Sequence, residues 1–441
     1  MKRVRFSPIT RGLALFALVS ALGVNLVLAA AGQPGVADEL RQLATASQGV
    51  DSWRPMNQAH RYLASGASPP LYAWLFFERK IKFIYPPTSL LLFDAFDALF
   101  SQARLRSALV VFSCVLVWLT AALCAALLDR LLEGSPRTRS PTSEDRVARV
   151  ALALLLSLAF YPVLKAYSLG QMQVLLNALF AAFLYAWVAG WRRAAGVLVA
   201  VMAAVKPQYG VLVLWGLLRR ERAFVLSAGL TGCLLLGLSL ARFGLATHFD
   251  YLSVVAEVSR LGEAYWPNQS VNGFLNRLLG NGVSDHWDPH VYPPYHPLVR
   301  GGTLLAAALL LGTALLAPAR GRGRGSACDA SAMVLALTMA SPVAWEHHYG
   351  VLLPIFALLL AASLRAPPLG RASLPLLALT AALASNAWLA LGALSGTVWN
   401  PLQSLLLLDA LAVFGLALAL CRQAGDVAAE APLSPLPQRV L

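Results

Sequence analysis

The chain alternates long runs of apolar residues with short polar or basic segments. The long runs contain roughly 17 to 25 residues, enough for a helix to cross a hydrocarbon core about 30 Å thick. They are rich in Leu, Ala and Gly and lack the alternation of strands, so they predict membrane-spanning helices. The predicted helices lie at about 12–31, 106–128, 147–163, 171–190, 223–241, 301–317, 329–341, 349–364, 373–393 and 402–420.

One further apolar stretch, from Arg193 to Arg219, is interrupted by Lys206-Pro207-Gln208 and has basic clusters at both ends. Because cytoplasmic loops carry an excess of Lys and Arg, a single crossing would leave one of these clusters on the wrong side. Two half-helices that meet near the outer leaflet satisfy the charge rule. Broken helices at this depth are tolerated where they line a cavity.

The same rule orients the whole chain. It puts the N-terminus and the loops with several arginines inside, among them the RGRGRG segment with Arg320, Arg322 and Arg324. Two long polar loops then lie outside, 32–105 with interfacial helices and 242–300; whether Tyr85–Phe100 crosses stays open. We expect an all-α bundle of about 10–12 transmembrane helices in one domain over 1–421, with a disordered cytoplasmic tail over 422–441. The first helix is expected to remain uncleaved, because its apolar run is long for a signal peptide.

Composition agrees with a membrane protein. Of 441 residues, 58% are hydrophobic and only 13% are charged, against a charged fraction of about 25% in soluble domains. The formal net charge of +14 comes largely from short clusters between apolar runs, which indicates membrane topology and not nucleic-acid binding. The five cysteines have no metal-like spacing, so neither a disulfide framework nor a zinc site is predicted.

Polar groups of several kinds gather on the predicted outer side. Ionisable residues at membrane depth are costly and by default indicate a functional site. These groups are Asp51, His60, Lys82, Lys165, Gln171, Lys206, Asn268, Gln269, Asn272, Glu346, His347 and His348. The chain contains no motif for binding a soluble nucleotide, so we expect any activated donor to arrive within the membrane.

Several motifs, in order, resemble a known family. They are YPP at Tyr85, LGQMQVLLNALF before GWRR, AAVKPQYGVLVLWGLLRRERAF, NQSVNGFLNRLL and SPVAWEHHYGVLLP. Together they are similar to the polytopic glycosyltransferases of the GT-C superfamily, most of all to glycosyltransferase family 87, which includes polyprenol-phosphate-mannose-dependent α-mannosyltransferases. The similarity runs from the first helix to about residue 364.

The resemblance implies a membrane glycosyltransferase with a GT-C-like fold. Such an enzyme moves a hexose, here expected to be mannose, from a polyprenyl-phosphate donor to a lipid or glycan hydroxyl with inversion. Its active site would face the periplasmic or extracellular side of the cell (inner or plasma) membrane. No cofactor beyond the lipid-linked sugar and no metal ligand is expected, although metal dependence stays open. The sequence leaves the acceptor, the sugar and the oligomeric state open.

The resemblance also implies roles for individual residues. Asp51, in the first outward loop, matches the position of the catalytic base. The lipid phosphate would be held by Lys206, His347, His348 and Lys82. The substrate-binding residues would be Tyr85, Gln171, Asn268, Gln269, Asn272 and Glu346. This set suits the chemistry, because a lipid phosphate is already a good leaving group and the enzyme needs mainly a base and cationic donors.

Each assignment has a structural alternative. Asp51 could cap the helix after Ser52, which leaves Asp38 as the reserve base. Lys206 could extend to the interface without a ligand. His347 and His348 would point about 100° apart on a helix, so only one is expected to contact the donor.

Two other functional classes stay open. A secondary transporter or lipid flippase would also use broken helices, although the chain has no recognisable pair of related halves. An inactive or scaffolding relative is the third reading. A metal site at His286, His290 and His296 is disfavoured, because the Pro-rich setting offers no helical i,i+4 pair.

Overall fold

The computed structural model describes residues 7–33, 35–66, 70–133, 142–288, 290–317, 325–365 and 369–427. Of the described residues, 78% are helical, and they contain no strand, only an isolated bridge between Asn268 and Trp345. The arginine-rich segment with Arg320, Arg322 and Arg324 lies outside the described residues. The all-α polytopic fold predicted from the sequence is confirmed.

Seventeen α-helices are labelled here in chain order. The first nine are α1 Pro8–Ala30, α2 Ala37–Ala44, α3 Trp53–Ala64, α4 Leu91–Leu99, α5 Gln102–Leu132, α6 Ser143–Leu158, α7 Tyr161–Leu169, α8 Gln173–Val188 and α9 Arg192–Val205. The others are α10 Val211–Leu218, α11 Arg222–Leu261, α12 Val271–Leu278, α13 Pro297–Leu316, α14 Ala327–Ala340, α15 Leu352–Arg365, α16 Leu369–Ala384 and α17 Leu405–Val427. Short 3₁₀ or π segments lie at Ala73–Glu78, Pro87–Leu90, Pro207–Gly210, Glu346–Val351, Leu389–Leu394 and Asn400–Ser404.

Six helical segments among the described residues are long and apolar enough to cross a membrane, and the bent pair of α6 and α7 would make a seventh. Four shorter apolar helices accompany them: α8, Pro207–Leu218, α14 and the later part of α16. The predicted count of 10–12 crossings is therefore reached only when these shorter helices are counted. The nine-residue α4 spans only about 14 Å and is too short to cross by itself.

Arginine pairs fasten one end of the bundle, which we call the basic end. Arg219, at the end of α10, binds both carboxylate oxygens of Asp329 in the first turn of α14, with N···O distances of 2.6 and 3.1 Å. It also donates to the carbonyls of Leu315 and Ala317 at the end of α13. Because the Arg219 and Asp329 side chains are buried, this contact locks three helix ends together.

The apolar stretch around Lys206 leaves the basic end and returns to it. α9 stops at Val205, and the chain resumes at Pro207, so the predicted interruption is present. Arg192 at the start of α9 pairs with Glu221 just after α10, with N···O 3.4 Å. Both ends of the stretch therefore lie at the basic end, and Lys206 lies at the turn between the two helices.

The first part of the predicted second loop is helical. The expectation was a helix over 223–241 and a loop from 242, but α11 continues to Leu261. Gly244 adopts φ 76° and ψ 157°, which are not helical values, so two helical segments meet at a kink there and the second one runs on to Leu261. Polar residues on both sides of the kink contact the first loop: Arg242, before it, binds Asp94, and Asp250, after it, accepts a 2.6 Å hydrogen bond from the backbone N–H of Tyr72.

Three further boundaries differ from the sequence expectation. The predicted turn after residue 163 contains a helix, α7, which begins with Pro162 in its first turn. α16 ends at Ala384 and not near 393, and an irregular segment from residue 385 leads to α17. α17 continues to Val427, so the predicted tail begins as helix; residues 428–441 lie outside the described part of the chain.

Candidate functional site

A short backbone pairing joins the first loop to the bundle. The N–H groups of Gly49, Asp51 and Ser52 donate to the carbonyls of Ser168, Leu169 and Gly170 at 2.7, 3.0 and 3.1 Å. Gly170 ends α7 in the left-handed conformation with φ 71°. Its lack of a side chain lets the two backbones approach closely. The pairing holds Asp51 beside the C-terminal end of α7.

Gln171 and Ser52 fix the carboxylate of Asp51. The Gln171 amide nitrogen donates to Asp51 Oδ2 at 2.7 Å, and its amide oxygen accepts from Ser52 Oγ at 2.6 Å. Ser52 Oγ in turn accepts a hydrogen bond from the Met172 N–H at 3.1 Å. The capping alternative is not seen, because Ser52 is the N-cap of α3 and no side chain caps that end.

Tyr85 also belongs to this hydrogen-bond network. Its hydroxyl lies 2.9 Å from Ser52 Oγ and 3.4 Å from the Gln171 amide oxygen. Burial raises the pKa of Tyr85 to about 12, so the phenol stays protonated and has one proton to donate to this network. Tyr85 and Gln171 therefore position Asp51, whereas the sequence assigned both to substrate binding.

The carboxylate of Asp51 faces solvent while its environment favours the neutral form. Neighbouring protein atoms displace water from the carboxylate and raise the pKa of Asp51, and the Gln171 hydrogen bond and the Lys165 charge oppose this shift. Asp38, the reserve base, is an exposed residue of α2 that pairs with Arg41. Of the two, Asp51 is the carboxylate held by the bundle.

One face of α7 connects Asp51 with a second carboxylate. Tyr161 and Lys165, one turn apart, lie on this face. The Tyr161 hydroxyl donates to Glu346 Oε2 at 3.3 Å, and Lys165 Nζ lies 3.4 Å from Glu39 Oε1. Lys165 acts electrostatically on both Asp51 and Glu346. The cation is thus near enough to both candidate acidic groups to act on each.

Lys206 points into the protein. Its ammonium donates to the Gln173 amide oxygen at 2.9 Å, and the Gln173 amide nitrogen donates to Asn177 Oδ1 at 2.9 Å. This contact differs from the alternative in which Lys206 only extends to the membrane interface. The interruption between α9 and Pro207 is what brings the ammonium to the first turn of α8.

The two histidines lie on the 3₁₀ segment Glu346–Val351, beside Lys206. Their rings meet edge to face with centroids 4.7 Å apart, and Lys206 interacts electrostatically with both. His347 is buried, and its Nε2 has no hydrogen-bond partner among the described residues. A buried nitrogen without a partner is costly, which makes it a candidate contact for a ligand.

Lys82 has a different environment from Lys206. It pairs with Glu263 at 3.3 Å, and its ammonium lies 4.3 Å from the ring centroid of Tyr292 and 5.1 Å from that of Trp287. Burial lowers the pKa of Lys82, and the Glu263 carboxylate opposes the change. These contacts join the first loop to the second.

Three predicted substrate-binding amides are buried and fasten backbone. Asn268 binds the carbonyls of Glu263 and Pro342 and the N–H of Ala344. Gln269 donates to the carbonyls of Trp266 and Gln403 and accepts from the first N–H groups of α17, and Asn272 accepts from the Glu263 N–H. Their polar atoms are used within the protein, so we assign them a positioning role.

His60 also binds within the protein. Its Nε2 lies 2.8 Å from Asp94 Oδ1. Within the described ranges, no three His, Cys, Asp or Glu side chains are grouped as a metal would require. His286, one of the three histidines considered for a metal, pairs with its neighbour Asp285.

The structure adds three residues that the sequence assignment omitted. Ser52 follows Asp51 directly and Gln173 lies two positions after Gln171, and their contacts with Gln171 and Lys206 were not visible as a pattern. Tyr161 stands before Pro162 at the start of α7, which signals a helix start but not its contact with Glu346. The repeated glutamine of the quoted LGQMQ motif was the available signal for Gln173.

The arrangement combines a positioned carboxylate with a nearby group of cationic and neutral donors. Asp51 can accept a proton from a hydroxyl, and Lys206 with the imidazoles can stabilise a departing anion. Such a pairing suits group transfer from a donor with an anionic leaving group.

Comparison with known proteins agrees with this chemistry. The sequence profile of glycosyltransferase family 87 matches residues 83–342. A polyprenol-phosphate-mannose-dependent alpha-(1-2)-phosphatidylinositol mannoside mannosyltransferase from Mycolicibacterium smegmatis (strain ATCC 700084 / mc(2)155) is 29% identical over 343 residues, 74% of this chain and 69% of the relative. No solved structure matches the chain significantly. On the extent of the profile match, the chain belongs to glycosyltransferase family 87 and is a multi-pass membrane glycosyltransferase.

Proposed function

We propose that the chain transfers a hexose, most simply mannose, from a polyprenyl-phosphate donor to a hydroxyl of a lipid or glycan acceptor. The observation that carries the proposal is the solvent-facing Asp51 carboxylate, fixed by Gln171 at 2.7 Å beside α7. The donor class comes from the printed name of the mycobacterial relative. The reaction requires no cofactor other than the lipid-linked sugar.

The proposed reaction is a single displacement. The acceptor oxygen attacks the anomeric carbon while Asp51 takes the hydroxyl proton. The bond from that carbon to the phosphate oxygen breaks, and the electron pair leaves with the lipid phosphate. Lys206 and the buried imidazole of His347 stabilise the departing phosphate. One inversion follows, because no covalent sugar–enzyme intermediate forms.

The basic test is turnover by the full-length protein. The chain is reconstituted in phosphatidylethanolamine/phosphatidylglycerol nanodiscs with radiolabelled polyprenyl-phosphate mannose. We expect release of polyprenyl phosphate and transfer of label to an added acceptor or to water. Transport of the intact lipid-linked sugar across a vesicle membrane without cleavage would contradict the proposal and favour a flippase.

The proposed site lies on the periplasmic or extracellular side. The loops at the basic end carry arginines, and Lys206 lies at the opposite turn of the α9–α10 stretch, away from the Arg192–Glu221 pair. We expect cysteines at the exposed positions Ser47 and Ser65 to react with an impermeant thiol reagent in intact cells. Cysteines at Glu144 and Arg193 should react only after the membrane is opened.

This labelling uses a background in which the five natural cysteines are replaced. Retained turnover of each variant controls for folding. Labelling of Glu144→Cys or Arg193→Cys in intact cells would invert the arrangement and put the site on the cytoplasmic side.

Substitution of Lys206 by Gln should weaken use of the donor. Loss of a charge-assisted hydrogen bond costs about 1.5–3 kcal/mol, so we expect an increase of roughly 10- to 100-fold in the donor KM. The matched control is Lys80→Gln, because Lys80 is an exposed lysine of the first loop. An unchanged donor KM in Lys206→Gln would remove Lys206 from the phosphate site.

A further inference from the structure

The kink at Gly244 divides α11 into two parts with different surroundings. The first part, residues 222–243, begins at the basic end, next to the Arg192–Glu221 pair. As an α helix it is about 33 Å long, enough to cross a hydrocarbon core of about 30 Å. Gly244 therefore lies near the opposite boundary of the membrane. The second part, residues 245–261, starts there, and we call it the post-kink helix.

One face of the post-kink helix is apolar and exposed. Leu245, Phe249 and Leu252 recur at the i, i+4, i+7 spacing that puts side chains on one face of a helix, and Val255 borders them. All four residues are between 43% and 63% exposed. A contiguous apolar surface of this kind marks an interaction site. We call Leu245, Phe249 and Leu252 the apolar stripe.

The polar side chains of the post-kink helix contact the protein itself. His248 lies 3.0 Å from Ser239 Oγ and 2.8 Å from the Gly244 carbonyl oxygen, so it braces the kink from both sides. Glu257 and Arg260 pair with each other at 3.0 Å near the far end of the helix. The direction of the helix is thus fixed, and its charges are matched without the apolar stripe.

The opposite face of the post-kink helix holds the first loop. The ring of Tyr251 lies 5.4 Å from that of Tyr72, and Asp250 accepts the hydrogen bond from the Tyr72 N–H. The Tyr72 hydroxyl donates to the carbonyl oxygen of Tyr85 at 2.6 Å. Because the Tyr85 side chain belongs to the network around Asp51, the helix is connected to the catalytic carboxylate through two buried tyrosines.

The position of the apolar stripe favours lipid as its occupant. The stripe begins at Leu245, one residue beyond the part of α11 that crosses the membrane, and is continuous with it along the chain. The crossing part also exposes apolar side chains, such as Leu230 and Leu234. An amphipathic helix at the membrane boundary lies in the plane of the bilayer with its apolar face in the hydrocarbon.

We propose that the post-kink helix lies along the leaflet opposite the basic end, with the apolar stripe in the hydrocarbon region. There it supports the first loop through Tyr72 and keeps the Asp51 carboxylate at the membrane surface, where a lipid-linked donor is delivered. The placement of the helix is independent of the chemistry. Its effect on turnover rests on the proposed glycosyl transfer.

Nitroxide labels test the placement directly. Single cysteines replace Phe249, Leu252, Leu230 or Ser47 in the full-length protein without its five natural cysteines, reconstituted in phosphatidylethanolamine/phosphatidylglycerol vesicles. Collision rates are measured by electron paramagnetic resonance with oxygen, which enters hydrocarbon, and with a water-soluble nickel chelate. We expect the labels at 249 and 252 to favour oxygen, like the label at 230, whereas the label at Ser47 favours nickel.

Two results of this experiment would overturn the placement. The first is a preference for nickel at either Phe249 or Leu252, which would put the stripe in water. The second is dipolar broadening between labels at Leu252 of different molecules that disappears on dilution with unlabelled protein. Such broadening would mean that a second copy of the chain covers the stripe.

A matched set of variants tests the support of Asp51. Phe249→Gln combined with Leu252→Gln should lower kcat for transfer by up to about 10²-fold, because small displacements of a reacting group are costly. The donor KM should stay at the wild-type value. Ser253→Gln, at an exposed position about 100° from Leu252 around the helix, should keep wild-type kcat. The exchange Phe249→Leu with Leu252→Phe preserves the apolar stripe and should do the same.

Melting temperatures of these variants distinguish a local effect from loss of folding. Wild-type kcat in the double glutamine variant would overturn the support of Asp51 by the post-kink helix, as would equal losses in Ser253→Gln. Failure of the wild type to cleave the donor would contradict the proposed function, and the collision rates would still decide where the helix lies.

Discussion

Substitution of Asp51 by Asn is expected to lower turnover by about 10²–10⁴-fold, the contribution of a positioned general base. Asparagine keeps the size of the side chain and can still contact Gln171, but its amide cannot take the hydroxyl proton. Binding of the lipid-linked donor should survive, because the proposed phosphate contacts belong to Lys206 and His347. The measurement is kcat for transfer, together with donor binding to the same preparation.

The pH dependence gives a second readout of the same residue. The base must be ionised, so activity should rise as the pH increases through the pKa of Asp51, which partial desolvation holds above its usual value. Asp51→Asn should lose this acidic limb. A general loss of folding would lower activity without removing one limb of the profile.

Asp38→Asn is the matched control, because Asp38 is exposed and pairs with Arg41. It should retain near-normal turnover. The reverse result, with Asp38→Asn inactive and Asp51→Asn active, would move the base to α2. A product that keeps the anomeric configuration of the donor, determined by NMR, would contradict a single displacement whichever residue is the base.

The broken helix at Lys206 is the feature that the sequence predicted best. Two signals pointed to the same result there: basic clusters at both ends of one apolar stretch, and a proline after the lysine. The Arg192–Glu221 pair agrees with both, because it joins the two ends. Charge and helix-breaking residues act locally, so a sequence pattern records them directly.

The start of the second loop was mispredicted for a related reason. The polar residues after Arg242 were read as a loop, yet a second helical segment runs from the kink at Gly244 to Leu261. Polarity reports where a helix leaves an apolar environment, not where its backbone hydrogen bonds stop. Asp250 of this second segment accepts a hydrogen bond from the Tyr72 N–H, and Arg242, just before the kink, donates to Asp94.

The sequence also could not show which Asn and Gln side chains bind backbone groups and which have a free oxygen. Asn268 and Gln269 looked like site lining, but their amides bind backbone groups, whereas Asn386 and Gln403 were not considered and have free oxygens. An amide that fastens a loop and one that binds a hydroxyl are chemically the same. Only the three-dimensional count of donors and acceptors distinguishes them.

The contact between Asp51 and Gln171 joins residues 120 positions apart, and it depends on a close approach of two backbones. Replacement of Gly170 by Ala should therefore displace the catalytic segment. An added Cβ would lie 2.2 Å from the Gly49 carbonyl oxygen and 2.7 Å from its carbon, both backbone atoms that cannot rotate away. The paired segment must move, and a displacement of about 1 Å at a reacting group can cost 10²-fold in rate.

Gly190→Ala separates this clash from the general cost of the left-handed backbone. Gly190 has φ 82° but nothing within 4 Å of an added Cβ, so its substitution carries only the conformational cost of roughly 1–2 kcal/mol. We expect both variants to have lower melting temperatures, and only Gly170→Ala to lose about 10²-fold in turnover. Near-normal turnover in Gly170→Ala would mean that the spacing between Gly49 and Gly170 does not position Asp51. Equal losses of turnover in both variants would trace the effect to stability, because Gly190 lies at the basic end, where Arg192 pairs with Glu221, far along α8 from the carboxylate.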